Sequence, residues 1–136
     1  MAHRIIVSVH AYTPYSFALD AKGDDAFSLR SSRQTGDIRA FMTGLYKKYV
    51  SRGVPVVIGE FGARDKNANT QSRTDFAAYY VASASARNIP CCWWDNNVFS
   101  GSGERFGLLR RAKCDWIYPA IVEAIVRYGG YDNIPG

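Results

Sequence analysis

Three short apolar runs, each followed by a stretch of helical periodicity, constrain this chain more than any other feature. They are Ile5-Ile6-Val7-Ser8-Val9, Val54-Pro55-Val56-Val57-Ile58 and Ile89-Pro90-Cys91-Cys92-Trp93-Trp94. A strand that is apolar on both faces belongs in a parallel sheet, where helices cover one side and other side chains fill the other. The spacing predicts a first helix over 36–52, with Ile38, Phe41, Met42, Leu45 and Tyr49 inward and Gly53 as its stop. A second is expected over 71–87, with Phe76, Tyr79, Tyr80 and Ser83 inward, Asn69 or Thr70 as cap and Asn88 at its end. A third is expected over 116–128, with Ile117, Ile121, Val122 and Ile125 inward. Asp115 would cap it, Pro119 is tolerable in its first turn, and Gly129 would end it. Val98–Leu109 reads as a hairpin over Gly101-Ser102-Gly103.

Helix one meets strand two through Gly53, and helix two meets strand three through Asn88. Connections this short suit βαβ units. The segments after the strands are long instead, 10–35 and 59–70. In α/β barrels the long loops lie at the C-terminal ends of the strands, and chemistry lies there too. A closed barrel needs eight units and at least about 200 residues. With 136 residues this chain holds three units in one domain, 1–136. The fold class expected is therefore α/β, a partial (β/α)8 barrel with parallel strands, two open edges and a bare inner face.

Composition narrows the function classes. With 47% hydrophobic and 21% charged residues the chain is globular rather than disordered. No apolar run approaches the roughly 20 residues of a membrane span, and no signal peptide is visible. The net charge is +5, but Arg30, Arg33, Arg39, Lys47, Lys48, Arg52, Arg64, Lys66, Arg73 and Arg87 are scattered. They read as a solvated helical shell rather than a nucleic-acid surface. Cys91, Cys92 and Cys114 lack the spacing of a zinc site or a disulfide framework and read as free buried thiols.

Of three glutamates, Glu60 ends an apolar strand in Val57-Ile58-Gly59-Glu60-Phe61-Gly62, where a carboxylate points into the mouth of the sheet. A salt-bridged strand-end carboxylate is the alternative. Glu104 falls in the hairpin turn and Glu123 on the outer face of helix three. His10 and Tyr12, two apart at the end of strand one, share a side of an extended chain. Imidazole and phenol can hydrogen-bond a carboxylate or a sugar hydroxyl. Trp93 and Trp94 end strand three and face opposite ways. One packs into the helical layer; the other gives a platform suited to the apolar face of a pyranose ring. Both as core is the bland alternative.

On these residues the chain resembles the C-terminal part of glycoside hydrolase family five, the cellulase-type (β/α)8 barrels, closest to its endo-β-1,4-glucanase subfamily. The matching stretches are IIVSVHAYTPYSFAL (5–19), VPVVIGEFGARDKN (54–67), IPCCWWDNN (89–97) and GERFGLLRR (103–111). The resemblance implies that the three strands are barrel strands six to eight. It implies that Glu60 is the nucleophile of a retaining endo-glucanase, with His10 and Tyr12 as its active-site pair. Trp94 then stacks on the sugar beside the scissile bond, with Trp93 as the second substrate-binding candidate. The family's acid/base is a glutamate in an Asn-Glu pair, and no Asn-Glu occurs in this chain.

Retaining hydrolysis uses two carboxylates about 5–5.5 Å apart and needs no metal, nucleotide or other cofactor. The expected partner is a β-1,4-glucan: cellulose, xyloglucan or mixed-linkage glucan. The missing carboxylate could come from a partner copy, with Glu104, Asp65 and Asp95 as candidates. Two other readings stand beside the enzyme: a non-catalytic glycan binder, and a fragment that survives as a homo-oligomer because its sheet is open. By family resemblance the place of action is extracellular.

Overall fold

The computed structural model describes residues 5–130. The expected strands form one three-stranded sheet. Its strands are β1 (Val7–His10), β2 (Val56–Phe61) and β3 (Cys91–Trp93), all parallel, with β2 in the centre. The helices are α1 (Tyr15–Ala18), α2 (Ser32–Lys48), α3 (Thr70–Ser85) and α4 (Pro119–Tyr128). A second, antiparallel pair is β4 (Leu109–Arg110) with β5 (Asp115–Trp116).

Alternation along the strands sorts side chains between two faces. Val7, Val9, Val56, Ile58, Phe61, Cys91 and Trp93 turn toward the helices. There they meet Ile38, Met42 and Leu45 of α2 and Phe76, Tyr80, Val81 and Ala84 of α3. Phe76 is the aromatic hub, its ring centroid 5.4 Å from both Phe17 and Tyr80. α4 packs on α3 through a smaller cluster of Ala77, Leu108 and Ile121. The opposite face is bare, as expected: Ser8 and Cys92 are exposed on it.

Several element boundaries differ from the sequence reading. α2 begins earlier than 36 because Ser31 accepts the Gln34 N–H at 3.3 Å, an N-cap that overrides the glycine. It ends at Lys48, and a single 3₁₀ turn over Val50–Arg52 closes on Gly53, whose φ of 78° suits glycine. α4 starts at Pro119 rather than Trp116, because Asp115 is not its cap: the carboxylate pairs with Arg110 across β4 and β5. The hairpin therefore lies there, and not over 98–109. In that loop the Leu108 and Leu109 N–H groups go to Asp95 and the Phe106 carbonyl to Trp93, so no ladder forms. Asn69 sits at the α3 N-cap without capping; its side chain joins Lys66 to Asp25.

The basic shell holds for Arg30, Arg39, Lys47, Lys48 and Arg52, which are exposed, but Lys66 and Arg73 are buried. Lys66 Nζ donates to the Ser16 and Asp20 carbonyls at 2.9 and 3.0 Å, clasping the loop after α1. Of the cysteines only Cys91 turns inward, with its thiol pushed up to about 12 by burial and by Cys92; Cys92 and Cys114 are exposed. No described helix is long and apolar enough to cross a membrane.

Because Phe76 bridges α3, α1 and β2, Phe76→Ala is expected to cost about 3–5 kcal/mol, and Ile38→Val on α2 only about 0.5–1.5 kcal/mol. Urea unfolding should rank them in that order.

Candidate active site

His10 closes β1, and Tyr12 follows two residues on. Across the ladder the register runs Val9↔Ile58, then His10↔Glu60, so Gly59 is the extra residue of a bulge. Regular alternation would send Glu60 after Val56 and Ile58 into the helical core. The extra residue turns it to the mouth instead, which is how bulges re-aim side chains. Glycine fits closely there: a Cβ on residue 59 would come within 2.9 Å of Ser8 Oγ, so the hydroxyl would have to turn aside.

The three candidates converge on one atom. The Tyr12 hydroxyl donates to Glu60 Oε2 at 3.0 Å, and His10 Nδ1 lies 3.3 Å from the same oxygen. The Glu60 side chain is 23% exposed and that of His10 60%. Burial, then the hydrogen bond and charge of Glu60, push the Tyr12 phenol far above its ordinary range. It stays a protonated donor wherever the fold survives. The backbone is fixed on both sides: Ala11 N–H donates to the Glu60 carbonyl at 2.9 Å, and Trp94 N–H to the Phe61 carbonyl at 2.8 Å. Tyr80, stacked on Phe61 with ring centroids 4.5 Å apart, donates its hydroxyl to the Ala11 carbonyl at 2.8 Å.

The tryptophans divide. Trp93 belongs to the helical layer, edge-on to Phe61 at 5.4 Å, with its indole N–H spent on the Phe106 carbonyl at 2.9 Å. It is half-buried there. Trp94 is 41% exposed at the strand end.

The three further carboxylates named from sequence also separate. Asp95 is consumed by the chain: it accepts from the backbone N–H groups of Asn97, Leu108 and Leu109 and faces Arg111. Burial works to raise its carboxyl, but those donors outweigh it and hold it below the usual range. Asp65 is largely enclosed, with Arg105 and Tyr118 on its Oδ2. Only Glu104 is well exposed, 3.7 Å from Arg64. Among the described residues no cluster of three His, Cys, Asp or Glu could hold a metal ion.

Sequence reasoning missed Phe106 and Arg73 as neighbours of the site. Phe106 stands edge-on to Tyr12 at 5.6 Å, and Arg73 lies over Trp93. Phe106 had a signal, its place in GERFGLLRR; Arg73, one arginine among many on an amphipathic helix, had none.

The chain is similar to known proteins over most of its length. The family model "Cellulase (glycosyl hydrolase family 5)" matches residues 2–100. An endoglucanase A of Clostridium longisporum is 44% identical over 96% of this chain and 25% of its own length. Among solved structures, a family 5 lichenase from Caldicellulosiruptor sp. F32 matches with TM-score 0.92 and 57% identity, over 95% of this chain and 36% of that one. A broad-specificity endoglucanase from Ruminococcus champanellensis with bound cellotriose matches with TM-score 0.85 and 40% identity, over 92% and 35%. The chain thus spans about a quarter to a third of the length of these relatives.

The Asp95 carboxyl, held low when folded, contributes stability that is present above the unfolded value near pH 3.9 and is lost as pH falls through the folded one. Asp95→Asn should therefore flatten the fall of the urea midpoint between about pH 5 and 3.

Proposed function

This chain belongs to the cellulases of glycosyl hydrolase family 5, and from that premise we propose that it carries the nucleophile side of a retaining β-glucan hydrolase cleft. The observation that supports this reading is the convergence of Tyr12 and His10 on a single oxygen of Glu60. An oxygen that accepts from Tyr12 and lies against the His10 ring is held in place, and Oε1 is left to attack. In the first step the Glu60 Oε1–C1 bond forms while the bond from C1 to the leaving oxygen breaks. Tyr12, kept protonated, holds the carboxylate's orientation through the step. Trp94 offers its exposed face to the sugar ring.

The leaving oxygen must receive a proton, and the second step needs a base for water. Neither role falls to Asp95 or Asp65, whose carboxylates are engaged by the fold. The second carboxylate comes from barrel strands that this sequence does not contain, or from a partner copy through a group such as Glu104. Missing general acid–base catalysis costs about 10²–10⁴-fold, so turnover by this chain alone lies that far below the complete cleft. The substrate is a β-1,4-glucan, of the class to which the bound cellotriose of the Ruminococcus enzyme belongs. Cellulose, xyloglucan and mixed-linkage glucan all present this backbone. A polymer of that size is met outside the cell, and the chemistry requires no cofactor.

A second reading, non-catalytic glycan binding or self-association as a homo-oligomer, is favoured by the bare sheet face with Ser8 and Cys92 exposed. Light scattering separates the oligomer from a monomer. Reducing-sugar release from carboxymethyl cellulose and lichenan tests the enzyme reading. Glu60→Gln is expected to abolish release, and retained activity in that variant contradicts the nucleophile assignment. Trp94→Ala is expected to weaken cellotetraose binding, whether or not bonds are cleaved.

A further inference from the structure

A buried charge lies in the helical layer behind the mouth. Arg73 of α3 is fully buried, yet among the described residues its Nη1 and Nη2 have no hydrogen-bond partner. A guanidinium stays charged and burying one is expensive; Tyr118 and the Asp65 carboxylate favour the charge, but burial outweighs them. Its surroundings show what it holds. Nε donates to the Ala63 carbonyl at 2.9 Å. The guanidinium lies over the ring of Tyr118, 4.6 Å from its centroid, and over Trp93 at 5.9 Å.

From Arg73 the contacts close a ring around the end of β2. Trp93, beneath the guanidinium, donates its indole N–H to the Phe106 carbonyl at 2.9 Å. The Phe106 ring stands edge-on to Tyr12, and the Tyr12 hydroxyl donates to Glu60. Glu60 continues through Phe61 and Gly62 to Ala63, whose carbonyl returns to Arg73. Gly62 is clamped within this ring: a Cβ there would meet Phe106 at 3.1 Å and Trp93 at 3.5 Å. Each link is a packed or hydrogen-bonded contact, so displacing one must shift the next.

We propose that Arg73 is a positioning residue of the active site, which sets the Tyr12–Glu60 hydrogen bond from the helical layer through Ala63 on one side and Trp93–Phe106 on the other. The planar fork matters as well as the charge. It reaches the carbonyl edge-on while presenting its face to two aromatic rings, which an ammonium cannot do. Lysine at 73 is therefore not a conservative replacement. The consequence for turnover rests on Glu60 being the nucleophile, but the placement of its carboxylate can be read without any substrate.

The chain has only two histidines, His3 and His10, so the His10 ring gives an uncrowded NMR signal. With Nδ1 3.3 Å from Glu60, that ring reports where the carboxylate sits. Glu60→Gln defines the full displacement of the His10 resonances. Arg73→Lys and Arg73→Met are expected to move them by at least half of that displacement while the chain remains folded. Ile38→Val, which lowers stability from α2, is expected to leave them in place. If folded Arg73→Lys or Arg73→Met keeps the parent His10 resonances and merely lowers the urea midpoint, Arg73 is structural only and the proposal fails. If neither variant folds, Trp93→Phe decides. It keeps an aromatic ring under the guanidinium but removes the donor to Phe106, and an unmoved His10 signal there overturns the proposal equally. Loss of the nucleophile assignment would show in sugar release and leave the His10 result standing.

Discussion

The hydrogen bond from Tyr12 to Glu60 Oε2 is the interaction around which the described structure is arranged. It joins the ends of two parallel strands at the one place where their register slips by a residue. Gly59 is the extra residue, and its lack of a side chain lets Ser8 approach. Burial and the carboxylate keep the phenol protonated, so the donor persists. Tyr80 fixes the chain between the two by bonding the Ala11 carbonyl. The placement of the Glu60 carboxylate is thus a product of backbone register, a glycine and two tyrosines, before any substrate is considered.

The sheet is packed on one face only. Its helical face is packed by aromatic and aliphatic side chains from α2 and α3, while the other face exposes Ser8 and Cys92. Parallel sheets are otherwise covered on both sides. The chain spans about a third of the family 5 structures it superposes on, and the open face corresponds to the barrel interior of those structures. The same division runs through the chemistry. Under the proposed reading Glu60, His10, Tyr12 and Trp94, at the ends of these three strands, form the nucleophile side of the cleft, and the proton donor for the leaving oxygen lies elsewhere.

Much of this was legible from residues alone. Continuous apolar runs with one-residue αβ connections dictated three parallel βα units, and the strand ends bearing His10, Tyr12, Glu60 and Trp94 do lie at one mouth. Helix boundaries slipped where a side chain outcompeted periodicity: Ser31 drew α2 four residues forward, and the Arg110–Asp115 pair kept 115–116 out of α4. The hairpin was misplaced because Asp95, thirteen residues before Leu108, takes the amides that a ladder would use. Arg73 was illegible for a different reason. Helical spacing marks a face but cannot tell a snorkelling arginine from one whose head is fully enclosed. Only the tertiary contacts with Ala63, Trp93 and Tyr118 reveal it.

Nucleophilic attack by Glu60 can be examined without the missing acid, because a good leaving group needs no proton. A 2,4-dinitrophenyl 2-deoxy-2-fluoro-β-cellobioside supplies one: the Glu60 oxygen bonds to C1, dinitrophenolate departs, and the fluorine slows the water step that would release the sugar. Peptide mapping by mass spectrometry after incubation with this chain reads the outcome directly. A cellobiosyl adduct on Glu60, absent from Glu60→Gln, is the result this account predicts. An adduct on another residue, or no adduct on the parent chain, would contradict it.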